Sequence, residues 1–303
     1  MQDDLRRRRE LAEARHPWVT IAIIAACVAV YLGYLVAGRP TLVVDVRRFG
    51  VLPASEIRGG AVWGLVTPVF VHFNAIHLYF NMNAIWVLGT RLERSIGSPA
   101  YLVLYVVSGA LAATFQLAVS DTTGIGASGA AFALIGFMWI VRDRYPLLRD
   151  VMHARTMRLV SIWLVGCVVV SWLGVLPIAN TAHFSGLAFG AALAGALFAP
   201  RLRTLWAACV SALVALAVVV TLWAPWSVTW LWERALEAHV AGRSAEAIEY
   251  YDRLLERDPE VVEAYHNRGL LRLEAGDAQA GHSDLERARA LEQASGSRAS
   301  DDR

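Results

Sequence analysis

The apolar residues of this chain come in long uninterrupted blocks, a pattern typical of proteins that use lipid as their solvent. A helix needs about 20 largely apolar residues to cross a bilayer. Seven stretches qualify as spans: 18–37, 75–92, 99–119, 126–143, 157–176, 180–199 and 205–224. The half-apolar loop between the first two, 38–74, can lie in the membrane interface without crossing. The pattern predicts an all-α, polytopic membrane protein.

These spans divide the chain into five predicted segments. They are a basic amino-terminal segment (1–17), a core of six transmembrane helices (18–200), a seventh transmembrane helix (201–225), a tetratricopeptide-like helical domain (226–293) and a disordered tail (294–303). The basic start at Arg6–Arg9, followed by an apolar run, resembles a signal sequence. That run is too long for a cleaved signal, so we expect it to be retained as the first span.

The helical domain is predicted from a change in composition and an internal repeat. After Pro225 the chain is rich in Ala, Leu, Glu and Arg, and Ala241-Gly242 recurs 34 residues later as Ala275-Gly276. This period resembles that of tetratricopeptide repeats, of which 230–292 would hold about two. Such short arrays are seldom stable alone, so we expect them to dock on a partner, for which a protein is the candidate. An ordinary pair of helical hairpins is the alternative.

The placement of arginine predicts how the spans are oriented. All 28 basic residues are Arg. If the amino terminus is cytoplasmic, the arginines of the membrane region lie on the cytoplasmic side, except for four in the first loop. The loops near 120–125 and 177–179, on the opposite side, contain none. We therefore expect a cytoplasmic amino terminus and, by counting spans, an extracytoplasmic carboxy-terminal domain.

Nothing in the sequence points to a metal, a cofactor or nucleic acid. Cys27, Cys167 and Cys209 fall in separate apolar blocks, as small buried hydrophobic residues do. There is no His-Glu-x-x-His motif, and two intramembrane histidines without an acidic partner make a poor zinc site. The expected partners are the lipid bilayer and membrane-anchored proteins.

Polar residues inside spans are costly and therefore indicate function. Four such residues lie within the first turns of the second, fourth and sixth spans: His77, Asn81, Ser128 and His183. These three spans run in the same direction, so at 1.5 Å per residue the four side chains lie at similar depth, near the outer face. Gly126 and Gly129 flank Ser128 and leave room for another chain to approach its hydroxyl. Gly186 begins a stripe of small residues, with Gly190 and Ala194, that permits close helix contact.

This set of residues suits nucleophilic catalysis. A serine hydroxyl needs a neighbouring base to take its proton, and His183 is the candidate base for Ser128. His77, Asn81 and the backbone N–H of Ser128 are candidate donors to an oxyanion. No Asp or Glu lies deep in any span, so we expect a Ser–His dyad whose imidazole is oriented by packing. His72, just before the second span, is expected to have a structural role.

Over 18–200 the sequence resembles the rhomboid intramembrane proteases. The motifs that carry the resemblance follow in order: Trp63, Thr67-Pro68-Val-Phe-Val-His72, His77-Leu-Tyr-Phe-Asn81, Glu93-Arg-Ser-Ile-Gly97, Gly126-Ala-Ser128-Gly129 and His183-Phe-Ser-Gly186-Leu-Ala-Phe-Gly190. The resemblance implies that Ser128 is the nucleophile, His183 the base, and His77, Asn81 and the Ser128 amide the oxyanion donors. It also implies membrane-anchored protein substrates whose spanning helix unwinds near the outer face.

Two positions depart from the family pattern. Trp63 is followed by Gly64 where the family often has Arg, which would loosen the first loop, and Phe132 replaces a Tyr that packs on the catalytic His. We assign four residues to substrate binding or packing: Phe132, Gly126, Gly129 and Gly186. The alternative function is a non-catalytic rhomboid-like scaffold that binds membrane clients. A transporter is disfavoured because paired repeat halves with broken helices are not evident.

Overall fold

The computed structural model describes residues 2–38 and 46–301, and within them the chain is helical with no β-strand. The helices are α1 (Gln2–Glu13), α2 (Trp18–Val36), α3 (Ala54–Arg58), α4 (Ala75–Ala84), α5 (Thr90–Ile96), α6 (Ser98–Ser120), α7 (Ser128–Val141), α8 (Pro146–Arg149), α9 (Ala154–Trp172), α10 (Asn180–Phe198), α11 (Arg203–Leu222), α12 (Val228–Val240), α13 (Ser244–Arg257), α14 (Val262–Glu274) and α15 (Ala278–Asp301). A π-helical turn, Ile85–Gly89, joins α4 to α5. The predicted all-α class is confirmed.

Within the described ranges, five helices are long and apolar enough to cross a membrane: Arg9–Val36, Ser98–Ser120, Ala154–Trp172, Asn180–Phe198 and Pro200–Leu222. The predicted span 126–143 forms α7, which is apolar but only 14 residues long. The predicted span 75–92 forms α4, the π-turn and most of α5, and its polar residues make it less apolar than the other five. The chain is therefore a multi-pass membrane protein.

Helix α7 is the most buried helix of the first compact unit, which ends at Leu222. Eleven of its 14 residues are buried, so protein surrounds it on nearly every side. Fully buried side chains from other helices share a core with it, among them Ile85, Leu92, Tyr101 and Tyr105. The first residue of this enclosed helix is Ser128.

Glycines bring the backbones of α7 and α10 into direct contact. A Cβ atom on Gly186 would overlap the carbonyl oxygen of Gly129, and one on Gly190 would overlap that of Ala133. Both pairs have the same sequence separation, so the two helices run parallel and in register. Close approach of this kind through small residues is a recurrent mode of helix packing in membranes.

The carboxylate of Glu93 ties the start of α5 to the starts of α2 and α6. It accepts hydrogen bonds from the backbone N–H groups of Val19 (2.9 Å) and Thr20 (2.8 Å) and from the hydroxyls of Thr20 (2.7 Å) and Ser98 (2.6 Å). The two backbone donors lie in the first turn of α2, where N–H groups have no partner within the helix. Glu93 is buried, and this network explains why a charge is tolerated there.

The described part of the first loop, 46–74, contains only short helices. Three of these are 3-10 turns, Arg47–Phe49, Val62–Leu65 and Thr67–Phe70, and the fourth is α3. Ala54 and Ile57 of α3 pack on Leu117 near the end of α6. Residues 39–45 of the predicted loop lie outside the described residues.

The second compact unit begins at Trp223 and contains α12 to α15. Helices α12 and α14 begin 34 residues apart, at 228 and 262, which is the period of the sequence repeat. Each helix packs on the next, around a core that includes Leu231, Tyr251 and Leu271. Its backbone is helical as far as Asp301, so the predicted disordered tail differs from the structure over 294–301. Once the preceding turns exist, adding residues to a helix requires no further nucleation.

Candidate active site

The hydroxyl of Ser128 and the imidazole of His183 lie within hydrogen-bonding distance. Oγ of Ser128 is 2.8 Å from Nε2 of His183. His183 is buried, whereas Ser128 is half-buried. The base is therefore held inside the protein while the hydroxyl remains partly accessible. A hydroxyl this close to a neutral imidazole can pass its proton to the ring as it attacks an electrophile.

Local structure explains how the two side chains reach this point. Ser128 begins α7, directly after a loop in which Gly126 has a φ of 98°, a backbone conformation that residues other than glycine rarely adopt. His183 lies in the first turn of α10. Because α7 and α10 run parallel in backbone contact, their first turns lie at the same end of the pair. The register of the glycine contacts therefore sets the distance between hydroxyl and imidazole.

The imidazole of His183 is oriented by packing. The ring of Phe132, one helical turn after Ser128, lies 4.7 Å away between centroids at an angle of 37°. When the serine hydroxyl donates to Nε2, the ring proton must sit on Nδ1. Nδ1 is buried and has no hydrogen-bond partner among the residues that the structure describes. No carboxylate within those residues bonds to this nitrogen, so the arrangement is a pair and not a triad.

His77 and Asn81 converge on the loop that precedes Ser128. A Cβ atom on Gly126 would lie 2.6 Å from Cε1 and 2.7 Å from Nε2 of His77, and 3.4 Å from Nδ2 of Asn81. Nδ2 of Asn81 donates to the carbonyl oxygen of His77 at 3.0 Å, which leaves its second hydrogen for another acceptor. The first turn of α4 is fixed by its N-cap, because the side chain of Asn74 accepts from the backbone N–H of His77 at 2.7 Å.

A small cavity adjoins Ser128. Its volume is about 20 Å³, room for one water molecule, and its walls are mostly backbone and small side chains from the middle of α6, the starts of α7 and α10, the loop 123–126 and the first loop. Gly129 and Ala182 line it beside the hydroxyl. Gly186, by contrast, contacts the backbone of Gly129 within the α7–α10 interface. Of the predicted binding or packing residues, Gly129 thus contributes both to the cavity and to the α7–α10 interface, and Gly186 contributes to the interface.

Two further polar residues support the site. Oε1 of Gln116, on α6, accepts a hydrogen bond from the backbone N–H of Ala182 at 3.2 Å, directly before His183. Sequence reasoning missed Gln116, although a polar side chain within an apolar span was a usable signal. His72 is fully buried with its ring centroid 5.0 Å from that of His77, which suits the structural role expected from the sequence.

The chain is similar in sequence to known proteins over the region that holds these residues. A family model described as the rhomboid domain matches residues 59–200. The chain is 31% identical over 176 residues to the rhomboid protease GlpG of Salmonella paratyphi A, a match that covers 58% of this chain and 62% of the relative. It is 30% identical over 178 residues to rhomboid protease GlpG of Yersinia pestis, covering 58% of this chain and 61% of the relative. The chain therefore spans about six-tenths of the length of these curated relatives.

The matched region coincides with the helices that build the site. It begins within the first loop, contains the serine, both histidines and Asn81, and ends where α10 ends. The carboxy-terminal unit lies outside it. Residues 59–200 of this chain are therefore similar to the rhomboid domain.

Proposed function

We propose that this protein is an intramembrane serine endopeptidase that uses Ser128 and His183 as a catalytic dyad. The observation that carries the proposal is the 2.8 Å contact between Oγ of Ser128 and Nε2 of His183, at the end of two parallel membrane helices. The rhomboid protease name of the relatives supports the same reaction class. No cofactor enters the proposal.

The reaction follows from the positions of these groups. Oγ of Ser128 forms a bond to the carbonyl carbon of the scissile peptide while its proton passes to Nε2 of His183. The carbonyl electron pair becomes an oxyanion, for which His77, Asn81 and the Ser128 backbone N–H are the proposed donors. The carbon–nitrogen bond then breaks and His183 gives its proton to the departing amine. A water molecule, deprotonated by His183, hydrolyses the acyl-enzyme and restores the serine.

The proposed substrates are membrane-anchored proteins cut in or beside a transmembrane segment. Support comes from the location of Ser128 at the first turn of a helix enclosed by other membrane helices, where a partly accessible hydroxyl meets the end of the bundle. The half-buried state of the serine leaves an approach for an unwound peptide.

We also propose the finer topology. Residues 18–200 form a six-helix core, 201–225 a seventh span, and 226–293 a tetratricopeptide-like domain that binds a protein partner outside the cytoplasm. The cytoplasmic placement of the amino terminus is supported by the distribution of arginine. The repeat assignment is supported by the 34-residue spacing of helix starts. Deleting 230–303 tests partner recruitment, since unchanged substrate choice would contradict it.

A cleavage assay in lipid vesicles tests the central proposal. The full chain is mixed with a reporter that has one transmembrane segment, and wild type is compared with Ser128→Ala and His183→Ala. We expect both variants to lose cleavage, because each removes one half of the dyad. Ser185→Ala is the matched control: its hydroxyl donates to the carbonyl oxygen of Thr181 within α10, two residues after His183. Undiminished cleavage in either dyad variant would reject the mechanism, whereas a wild-type chain that cleaves nothing would favour a non-catalytic scaffold.

A further inference from the structure

An ion pair joins the first loop to the end of α6, next to the serine loop. Nη2 of Arg58 lies 3.0 Å from Oδ1 of Asp121. The Arg58 side chain is only 4% exposed and that of Asp121 is 23% exposed. Ion pairs at the surface contribute little because solvent screens them, but removing one partner of a buried pair leaves an uncompensated charge. This pair is therefore a firm connection between two segments that are distant in sequence.

Asp121 stands where the serine loop begins. It is the C-cap of α6 and adopts a left-handed conformation, with a φ of 54°. The six residues that follow, 122–127, lead directly into Ser128. Near its other end the same loop is held by a hydrogen bond from the backbone N–H of Gly126 to the carbonyl oxygen of Pro68, at 2.9 Å. The first loop thus contacts the serine loop at both ends, once through a side-chain ion pair and once through backbone.

The neighbourhood of Gly64 shows why an anchor at Arg58 matters. The sequence predicts a loosened first loop because Gly64 replaces the Arg often found after Trp63. In the structure a Cβ atom on Gly64 would lie 2.8 Å from Cγ1 of Ile57 and 3.0 Å from Cδ1 of Leu52. The side chains of Ile57 and Leu52 fill the space beside Gly64, so a side chain at position 64 would require them to shift. The nearly buried guanidinium of this loop is instead that of Arg58, six residues earlier.

We infer that Arg58 and Asp121 form a positioning pair that fixes the start of the serine loop and so aligns the Ser128 amide and hydroxyl for catalysis. The inference rests on the proposed peptidase function. Neither residue touches the reacting atoms; both act through the loop backbone. Because Gly126 lies against the imidazole of His77 and the amide of Asn81, two of the proposed oxyanion donors, a shift of the loop alters the donor geometry at the developing oxyanion. Loss of the pair should therefore lower kcat and leave KM nearly unchanged.

The test measures kcat and KM for the full chain in lipid vesicles with the single-span reporter. The variants are Arg58→Met, Asp121→Asn and the two combined, with Arg58→Lys as the charge-conserving variant. Asn tolerates the left-handed conformation at 121, so this substitution removes charge without backbone strain. Arg47 and Glu56 provide the matched control, since they form a 2.8 Å pair in the same loop with side chains 46% and 32% exposed. Arg47→Met and Glu56→Gln should leave both constants unchanged.

We expect kcat to fall about 10- to 100-fold in the Met, Asn and double variants alike, since displacing a catalytic group by about 1 Å has effects of that size. Arg58→Lys should recover most of the loss. The same order should hold for the rate at which a fluorophosphonate labels Ser128, with midpoints of thermal unfolding measured alongside.

Three results would overturn the inference: unchanged kcat in the single variants, losses that multiply in the double variant, or a rise in KM at constant kcat. If Arg58→Met does not fold, Asp121→Asn and Arg58→Lys carry the comparison. Failure of the proposed function is separate, because it would show as cleavage that persists in Ser128→Ala.

Discussion

Replacing Gly186 by Ala tests whether backbone contact between α7 and α10 sets the catalytic geometry. The added methyl group would overlap the carbonyl oxygen of Gly129. This atom belongs to the backbone of a buried helix and cannot rotate away as a flexible side chain does. The two helices must therefore move apart where Ser128 and His183 meet.

The size of the effect follows from the contact. Relieving the overlap requires a separation of about 1 Å in an interior that is already close-packed. The Ser128–His183 contact, now 2.8 Å, would lengthen to about 3.8 Å, which is beyond hydrogen-bonding distance. A displacement of about 1 Å can lower a catalytic rate about 100-fold. Overpacking also destabilises by about 1–3 kcal/mol, opposed by at most about 1 kcal/mol from the better helix propensity of Ala.

The assay separates chemistry from folding. The rate of fluorophosphonate labelling at Ser128 reports the reactivity of folded molecules, and thermal unfolding in detergent micelles reports stability. Gly166→Ala is the matched control, because Gly166 also lies inside a membrane helix, α9, but a Cβ atom there has no neighbour within 4 Å. It should label at the wild-type rate. Wild-type labelling of Gly186→Ala would refute the idea that this interface fixes the dyad.

Three further substitutions test other parts of the molecule. Glu93→Gln should lower the free energy of unfolding by about 3 kcal/mol, because an amide NH2 then faces two donors and each charge-assisted bond contributes about 1.5–3 kcal/mol. Glu56→Gln, in an exposed pair, should change the free energy of unfolding little. Equal free energies of unfolding for the two variants would contradict the prediction. Asp284→Asn should destabilise the carboxy-terminal unit by about 3–5 kcal/mol, since Asp284 pairs with Arg268 at 2.6 Å and its side chain is 7% exposed. An increase in hydrogen exchange that is confined to 223–301, with normal cleavage, would support this prediction. Phe132→Ala should lower kcat about tenfold or more by releasing the imidazole, whereas Phe132→Tyr should retain it; equal rates would exclude a role for the ring.

Hydrophobic periodicity predicted the helical class and the positions of most membrane helices. The lengths of α2, α6, α9, α10 and α11 follow directly from uninterrupted apolar runs. The parity of spans also places the residues of the site at one end of parallel helices, which is where the structure brings Ser128 to His183. Their catalytic assignment stays a prediction until cleavage is measured. The stripe of small residues in the sixth span predicted a close helix contact, and the structure makes that contact with α7.

Long-range pairing could not be predicted in the same way. Arg58 and Asp121 are both ordinary loop charges in the sequence, and only the packing of α3 on the end of α6 makes them neighbours. The hydrogen bonds of Glu93 to Val19 and Thr20 likewise join residues that are 74 and 73 positions apart along the chain. The π-turn at Ile85–Gly89 likewise has no clear local signal in the sequence. The local sequence pattern determines where helices form, whereas contacts between residues of different helices depend on how the helices are arranged.

His183 has no carboxylate partner among the described residues, so packing must orient its imidazole. In a triad, an acid fixes the imidazole tautomer by accepting the Nδ1 proton. Here the imidazole of His183 must be held instead by the phenyl ring of Phe132, the hydroxyl of Ser128 and the α7–α10 interface. An acid at this depth would be a buried charge with a large desolvation penalty, whereas a neutral imidazole between apolar walls loses only the hydrogen bond of its buried Nδ1, which costs less. A dyad fixed by backbone contact is therefore the arrangement that suits a catalytic site among membrane helices. For the same reason, changes in helix spacing should affect this site more than changes in surface charge.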